Sequence, residues 1–216
     1  MPTNDPSRDL HIDVPYYRQD DPNGGLSEFW QARSCGVLAL KMMLDYWRTK
    51  EGLEPIAVTE LFDNAMAHGG VDANNNWLHG ALTKTAADYG FLSWRRMWSL
   101  SADQRRGAAA SGVQGDALVR NEIQQRREAL PSLVEALVQG KPVIISVAKN
   151  FDEVEKPHLV VLTGVRRRTM LGAFEGIFYN DPYSATASNA KDRYVSISKF
   201  NEKWNYLAIF VEPTGK

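Results

Sequence analysis

The sequence predicts an α+β fold, with helices gathered in its first half and a mostly antiparallel sheet in its second. Three observations predict it. The run Cys35–Trp47 is apolar nearly all round, as expected of a helix buried at a domain centre rather than lying on its surface. From Pro142 onward, apolar segments of strand length follow one another with few helices between them, which favours antiparallel pairing over parallel crossovers. At 216 residues, 44% hydrophobic and 24% charged, the chain is ordinary for a soluble globular protein and long enough for a substantial core. A single domain over residues 1–216 is expected, carrying a mobile surface insertion at 101–128.

The elements follow in order. Ile12–Tyr17 reads as a short extended segment, with Pro15 favouring a sheet edge. Asp20–Gly25 is a loop of turn residues, and the central helix begins at Cys35. Thr59–Ala67 reads as a short helix with Thr59 as its cap. Asn74–Asn76 leads into a helix over Trp77–Tyr89, stopped by Gly90, and the aromatic run Phe91–Trp98 reads as a strand. Composition then shifts over Ser101–Arg127, where arginine, glutamine and small residues replace large apolar ones. This stretch reads as a partly helical insertion, solvated or meeting an acidic protein partner, and not as a second domain. Pro131 is expected to open a helix, and Gly140 to close it, with Leu133, Val134, Leu137 and Val138 on one face. Pro142–Val147, His158–Val165 and Phe174–Tyr179 read as strands. A final hairpin of Tyr194–Ile197 and Tyr206–Val211 is expected around a short helix near Lys199–Trp204.

Composition narrows the function classes. A formal net charge of −1 gives no electrostatic argument for nucleic acid or an anionic membrane as partner. The single cysteine excludes an intramolecular disulfide framework and a cysteine-rich zinc site. The polar, proline-punctuated start has no apolar core of signal-peptide length, and no run approaches a membrane span. As written the chain is expected in the cytoplasm, or outside the cell if a signal has been removed.

That single cysteine, Cys35, stands where a reactive thiol would. A polar stretch ends at Ser34 and an apolar helix follows, so the sulfur belongs in the first turn. Unpaired N–H groups and the positive end of the helix dipole favour a thiolate there. An ordinary thiol of pKa about 8.5 is only a few per cent ionised at neutral pH, so such a site raises the nucleophile's population roughly tenfold or more. The plain alternative is a small buried hydrophobe.

A cysteine nucleophile needs a base and a group to orient it. Of His11, His68, His79 and His158, the last is the best base, standing at the mouth of an apolar strand. Asp181, at the end of the next strand, is its expected orienter, because antiparallel neighbours bring such ends together. Asn180 is the fallback, although alternation turns its side chain to the other face. An oxyanion also needs donors. The Cys35 N–H is one, and the side-chain amide of Gln19 or Gln31 is the candidate second.

Taken in order, Val14-Pro15-Tyr16-Tyr17-Arg18-Gln19, Ser34-Cys35-Gly36, Gly140-Lys141-Pro142-Val143-Ile144-Ile145, His158-Leu159-Val160-Val161-Leu162-Thr163-Gly164 and Tyr179-Asn180-Asp181-Pro182 resemble the papain-like, bacteriocin-processing cysteine peptidases, family 39 of that class, and especially its stand-alone relatives. The resemblance implies a papain-like fold, with a central nucleophile-bearing helix packed on an antiparallel sheet. It implies Cys35 as nucleophile, His158 as base and acid, Asp181 as orienter and Gln19 as oxyanion donor. The family's Gln ordinarily lies closer to the Cys than Gln19 does here, with Asp20–Trp30 as the intervening insertion, so Gln31 stays open.

The expected function is therefore thiol-dependent hydrolysis of peptide or amide bonds through an acyl-enzyme, with no metal or organic cofactor. A cysteine acyltransferase, or a catalytically silent domain that binds a protein partner, are the alternatives. The family's exporter-borne members cleave after Gly-Gly, but Gly24-Gly25 and Gly69-Gly70 of this chain sit among turn residues and read as turns. His68, Asp72 and His79 have no regular metal-ligand spacing. The tryptophans Trp30, Trp77, Trp94 and Trp98 read as core packing or as the lining of a groove.

Overall fold

The computed structural model describes residues 9–21, 23–100, 106–107, 115–148, 151, 157–167, 174–183 and 191–215. Among the described residues, seven strands form one antiparallel sheet: β1 (Asp9–His11), β2 (Phe91–Met97), β3 (Val143–Ala148), β4 (Pro157–Arg167), β5 (Phe174–Asn180), β6 (Arg193–Ser196) and β7 (Trp204–Pro213). Their order is β2-β7-β3-β4-β5-β6, and β1 pairs with the far half of β4. The helices are α1 (Glu28–Gln31), α2 (Cys35–Lys50), α3 (Val58–Ala67), α4 (His79–Asp88), α5 (Gly115–Val138) and α6 (Ile197–Lys203). This is the expected α+β arrangement.

The central helix is α2. Every residue from Gly36 to Tyr46 is buried, and the helix packs on β3, β4 and β7. Its two buried charges answer each other: Lys41 Nζ lies 2.6 Å from Asp45 Oδ2, donates to Ile56 O and sits over the Tyr17 ring. Asp45 also accepts from the Tyr17 hydroxyl at 2.7 Å and the Ile56 N–H at 3.0 Å. A buried ion pair is tolerated only when its remaining donors and acceptors are met in this way. The core continues through β3, buried from Val143 to Val147, and through the apolar residues of β4 and β7.

Four sequence expectations shift. The strand near the start is β1, ahead of Ile12–Tyr17, because Gly164 of β4 lets the β1 backbone come close; a Cβ there would lie 2.0 Å from Leu10 O. Thr59 does not cap α3, which starts from Ala57 without a side-chain cap. The α4 helix begins at His79, two residues later than expected. The final hairpin does not form. β6, with one buried residue in four, suits the sheet edge against β5, whereas the apolar run of β7 is buried between β2 and β3.

The largest difference is α5, which is continuous from Gly115, so Pro131 lies inside the helix and does not open it. Intrahelical pairs such as Arg126–Glu122 at 2.6 Å support its first half. Ser132 Oγ donates to Glu128 O at 2.8 Å in the turn that Pro131 loosens. Residues 101–105 and 108–114 of the expected insertion lie outside the described residues.

Candidate active site

Cys35 is the first residue of α2 and is half-buried. Ser34 precedes it without capping the helix; its hydroxyl donates back to Gln31 O at 2.9 Å. The first-turn amides are thus left for the sulfur, and the N–H groups of Gly36 and Leu159 act on it. Gly36 is required here by packing. A Cβ would lie 2.4 Å from Trp77 Cγ, and the Trp77 indole crosses this turn to donate to Arg33 O at 2.5 Å.

His158 is the second residue of β4, opposite Val147 of β3, and is buried. Its Nε2 lies 2.6 Å from Asp181 Oδ1, which leaves Nδ1 for Cys35. The antiparallel pairing of β4 with β5 brings the start of one strand beside the end of the other, as the sequence predicts. Asp181 is fully buried and well held. Oδ1 also accepts the Tyr183 N–H at 2.9 Å, Oδ2 accepts Arg193 Nη1 at 2.9 Å, and the Asp181 carbonyl accepts the Tyr16 hydroxyl at 2.9 Å.

The electrostatics follow from this chain of contacts. Burial pushes the Cys35 thiol up, but the hydrogen bond and charge of His158, with the Leu159 and Gly36 amides, more than offset it and hold the thiol below its usual range. Burial pulls His158 down, while its hydrogen bonds to Asp181 and Cys35 and their charges raise it to about 9. Such a pair titrates as a unit, and opposed shifts of this kind favour thiolate beside imidazolium.

The two glutamines part company. Gln19 is buried, its N–H donates to Pro182 O at 2.9 Å, and its amide Nε2 donates to Gln31 O at 3.0 Å, directly against the segment that leads into Cys35. An amide nitrogen has two hydrogens, so one donor remains beyond that bond. Gln31 instead directs its amide to Leu26 O at 2.8 Å. Asn180 serves the neighbouring loop, accepting the Asp192 N–H at 2.9 Å, and does not orient His158.

The remaining candidates are dispersed. His11 lies on β1 against Phe178, and His68 pairs with Asp88 at 2.7 Å. Asp72 accepts the Asn74 and Asn76 amides, and no metal-binding cluster of His, Cys, Asp or Glu occurs among the described residues. Trp77 lines a cleft of about 600 Å³ that opens beside Cys35 and Leu159 and runs to His79 and Arg95. Trp98 is core, packed on Trp204 and Phe210, while Trp94 stacks on Phe210 and Trp30 packs edge-on to Phe29 and Phe62. Sequence reasoning missed Arg193. It stands opposite Tyr179 in the β5–β6 register, and no local motif announces that it reaches Asp181.

The Peptidase C39-like family matches residues 11–209, which take in Cys35, His158 and Asp181. The chain belongs to that family. Membership places it among the cysteine peptidases, as the resemblance in the sequence implies. No curated protein sequence matches the chain. Among solved structures, this C39-like protein is similar to a C39-like peptidase from Bacillus anthracis, at 18% identity and a TM-score of 0.58, over 96% of this chain and 99% of that one. It is similar to a double glycine motif protease from an AMS/PCAT transporter, solved in complex with its leader peptide, at 16% identity and a TM-score of 0.52, with 94% of each chain covered. The peptidase domain of Streptococcus ComA aligns at 15% identity and a TM-score of 0.52, over 85% of this chain and 93% of that domain. These likenesses support the papain-like fold. No helix among the described residues is long and apolar enough to cross a membrane.

Proposed function

We propose that this C39-like peptidase cleaves peptide bonds through an acyl-enzyme formed on Cys35. The observation that carries the reading is the continuous contact from the Cys35 thiol through His158 to the buried Asp181 carboxylate, 2.6 Å from the ring. The Cys35 thiolate attacks the scissile carbonyl carbon. Negative charge gathers on the carbonyl oxygen, which the Cys35 N–H and the second Gln19 amide hydrogen stabilise. The His158 imidazolium gives its proton to the leaving amine as the C–N bond breaks, leaving a thioester on Cys35. Neutral His158 then takes a proton from water, which attacks the thioester and releases the acid. Asp181 keeps the ring oriented and favours its charged form throughout. Peptide as the substrate class is also consistent with the double glycine motif protease of similar fold, which holds a leader peptide.

The test is the pH dependence of Cys35 alkylation by iodoacetamide, read by intact mass, in the wild type and in His158→Ala. The thiolate–imidazolium pair predicts rapid labelling at about pH 5 that collapses in the variant. An ordinary thiol profile in both proteins would move the reading to a binding module.

A further inference from the structure

We propose that the cleft beside Cys35 is a specificity subsite for an acidic side chain of the peptide substrate, held by Arg33, Lys84 and Arg95. The proposal rests on the reading of Cys35 as the nucleophile, and it adds the chemistry of the substrate. The three cations line the same cleft of about 600 Å³ as the sulfur, although they come from the turn before α2, from α4 and from β2. None of them forms an ion pair with another described residue. Arg33 donates only to Phe29 O at 3.0 Å and lies over the Phe29 ring.

The cleft keeps a net positive charge, three cations against one carboxylate. Asp72 is the sole carboxylate among its described lining residues, and it accepts the Asn74 N–H at 2.8 Å and the Asn76 N–H at 2.9 Å. His68 is matched by Asp88, and His79, depressed by burial and by nearby Arg95, adds no charge at neutral pH. A cleft with three cations against one carboxylate, none of them ion-paired among the described residues, raises the local concentration of anionic groups beside the nucleophile and orients them. A peptide carboxylate answers that charge, and Arg receives it with two parallel N–H donors.

The test uses iodoacetyl tripeptide amides that differ only in carrying Glu, Gln or Lys, with the varied residue moved through each position, as labelling reagents for Cys35. At low ionic strength the best Glu peptide is expected to label the wild type about fivefold faster than its Gln partner, with Lys slowest, as fits partly exposed charges. The preference should fade as the Debye length falls to about 8 Å near physiological salt. In Lys84→Gln/Arg95→Gln the Glu-to-Gln ratio should drop to about one. Equal rates for Glu and Gln in the wild type, or a ratio that survives in the double variant, would overturn the proposal. So would acceleration confined to a Gln peptide with a free C-terminal carboxylate, which would make the terminus the ligand. Failure of the underlying reading looks different, because iodoacetamide itself would then label Cys35 with an ordinary thiol profile.

Discussion

Arg193 Nη1 lies 2.9 Å from Asp181 Oδ2, on the carboxylate oxygen that His158 leaves free. The buried carboxylate therefore stands between two cationic partners, one from β4 and one from β6. Arg193 neutralises part of the charge that would otherwise act on the imidazolium, and it locks the carboxylate plane. Arg193→Met is expected to lower stability by about 1.5–3 kcal/mol, the usual worth of a hydrogen bond to a charged group. It should also move the alkaline limb of kcat/KM to higher pH, because Asp181 then acts on His158 alone. Thermal unfolding and the pH profile of kcat/KM measure the two effects, and a purely structural role would leave the limb where it is.

On the proposed mechanism, the His158 value of about 9 is expected to set the upper edge of peptidase activity. The ring must be protonated to give its proton to the leaving amine, so activity falls as pH rises through about 9. The thiolate sets the acid limb, below the ordinary thiol range. Asp181→Asn removes a contribution that raises His158, so the alkaline limb should shift toward acid and kcat should fall. A pH profile of kcat/KM for the two proteins checks the direction.

Gln19→Ala is expected to lower kcat about 10²- to 10³-fold, the usual cost of losing one oxyanion donor. Iodoacetamide labelling should change little, since that reaction builds no oxyanion. Gln31→Ala should leave kcat within a few fold, because its amide serves Leu26 O. The comparison of turnover with labelling separates an oxyanion role from a general disturbance of Cys35.

Gly36→Ala forces a methyl group into the Trp77 ring, which would lie 2.4 Å away. Overpacking of this kind costs about 1–3 kcal/mol. Trp77 should shift off Arg33 O, and Cys35 labelling should slow with it. A lower midpoint in urea together with a change in tryptophan fluorescence would register both.

Much of the site was legible in one dimension because its determinants are local. Cys35 is marked by a polar stretch that breaks into an apolar helix, His158 stands at the start of one apolar strand, and Asp181 follows the end of the next. A β4–β5 pairing then brings the two strand ends together with no further information. Which glutamine lies against the Cys35 segment was not decidable in that way. It depends on the buried path of Gln19 past Pro182 and against the Gln31 carbonyl, a contact between distant segments. The first half of α5 was obscured because its few large apolar residues leave a weak helical period, and Pro131 imitates a start signal.

Alone, then, the sequence determined most element types and singled out Cys35, His158 and Asp181 as the proposed nucleophile, base and orienter, since periodicity, turn chemistry and residue type act over a few neighbouring positions. Tertiary structure decided what depends on register and long-range packing. Burial suits β7 to the sheet interior and β6 to its edge, and that edge strand carries Arg193 to Asp181. The same packing gathers Arg33, Lys84 and Arg95 around one cleft, from segments whose proximity is not encoded by any local pattern.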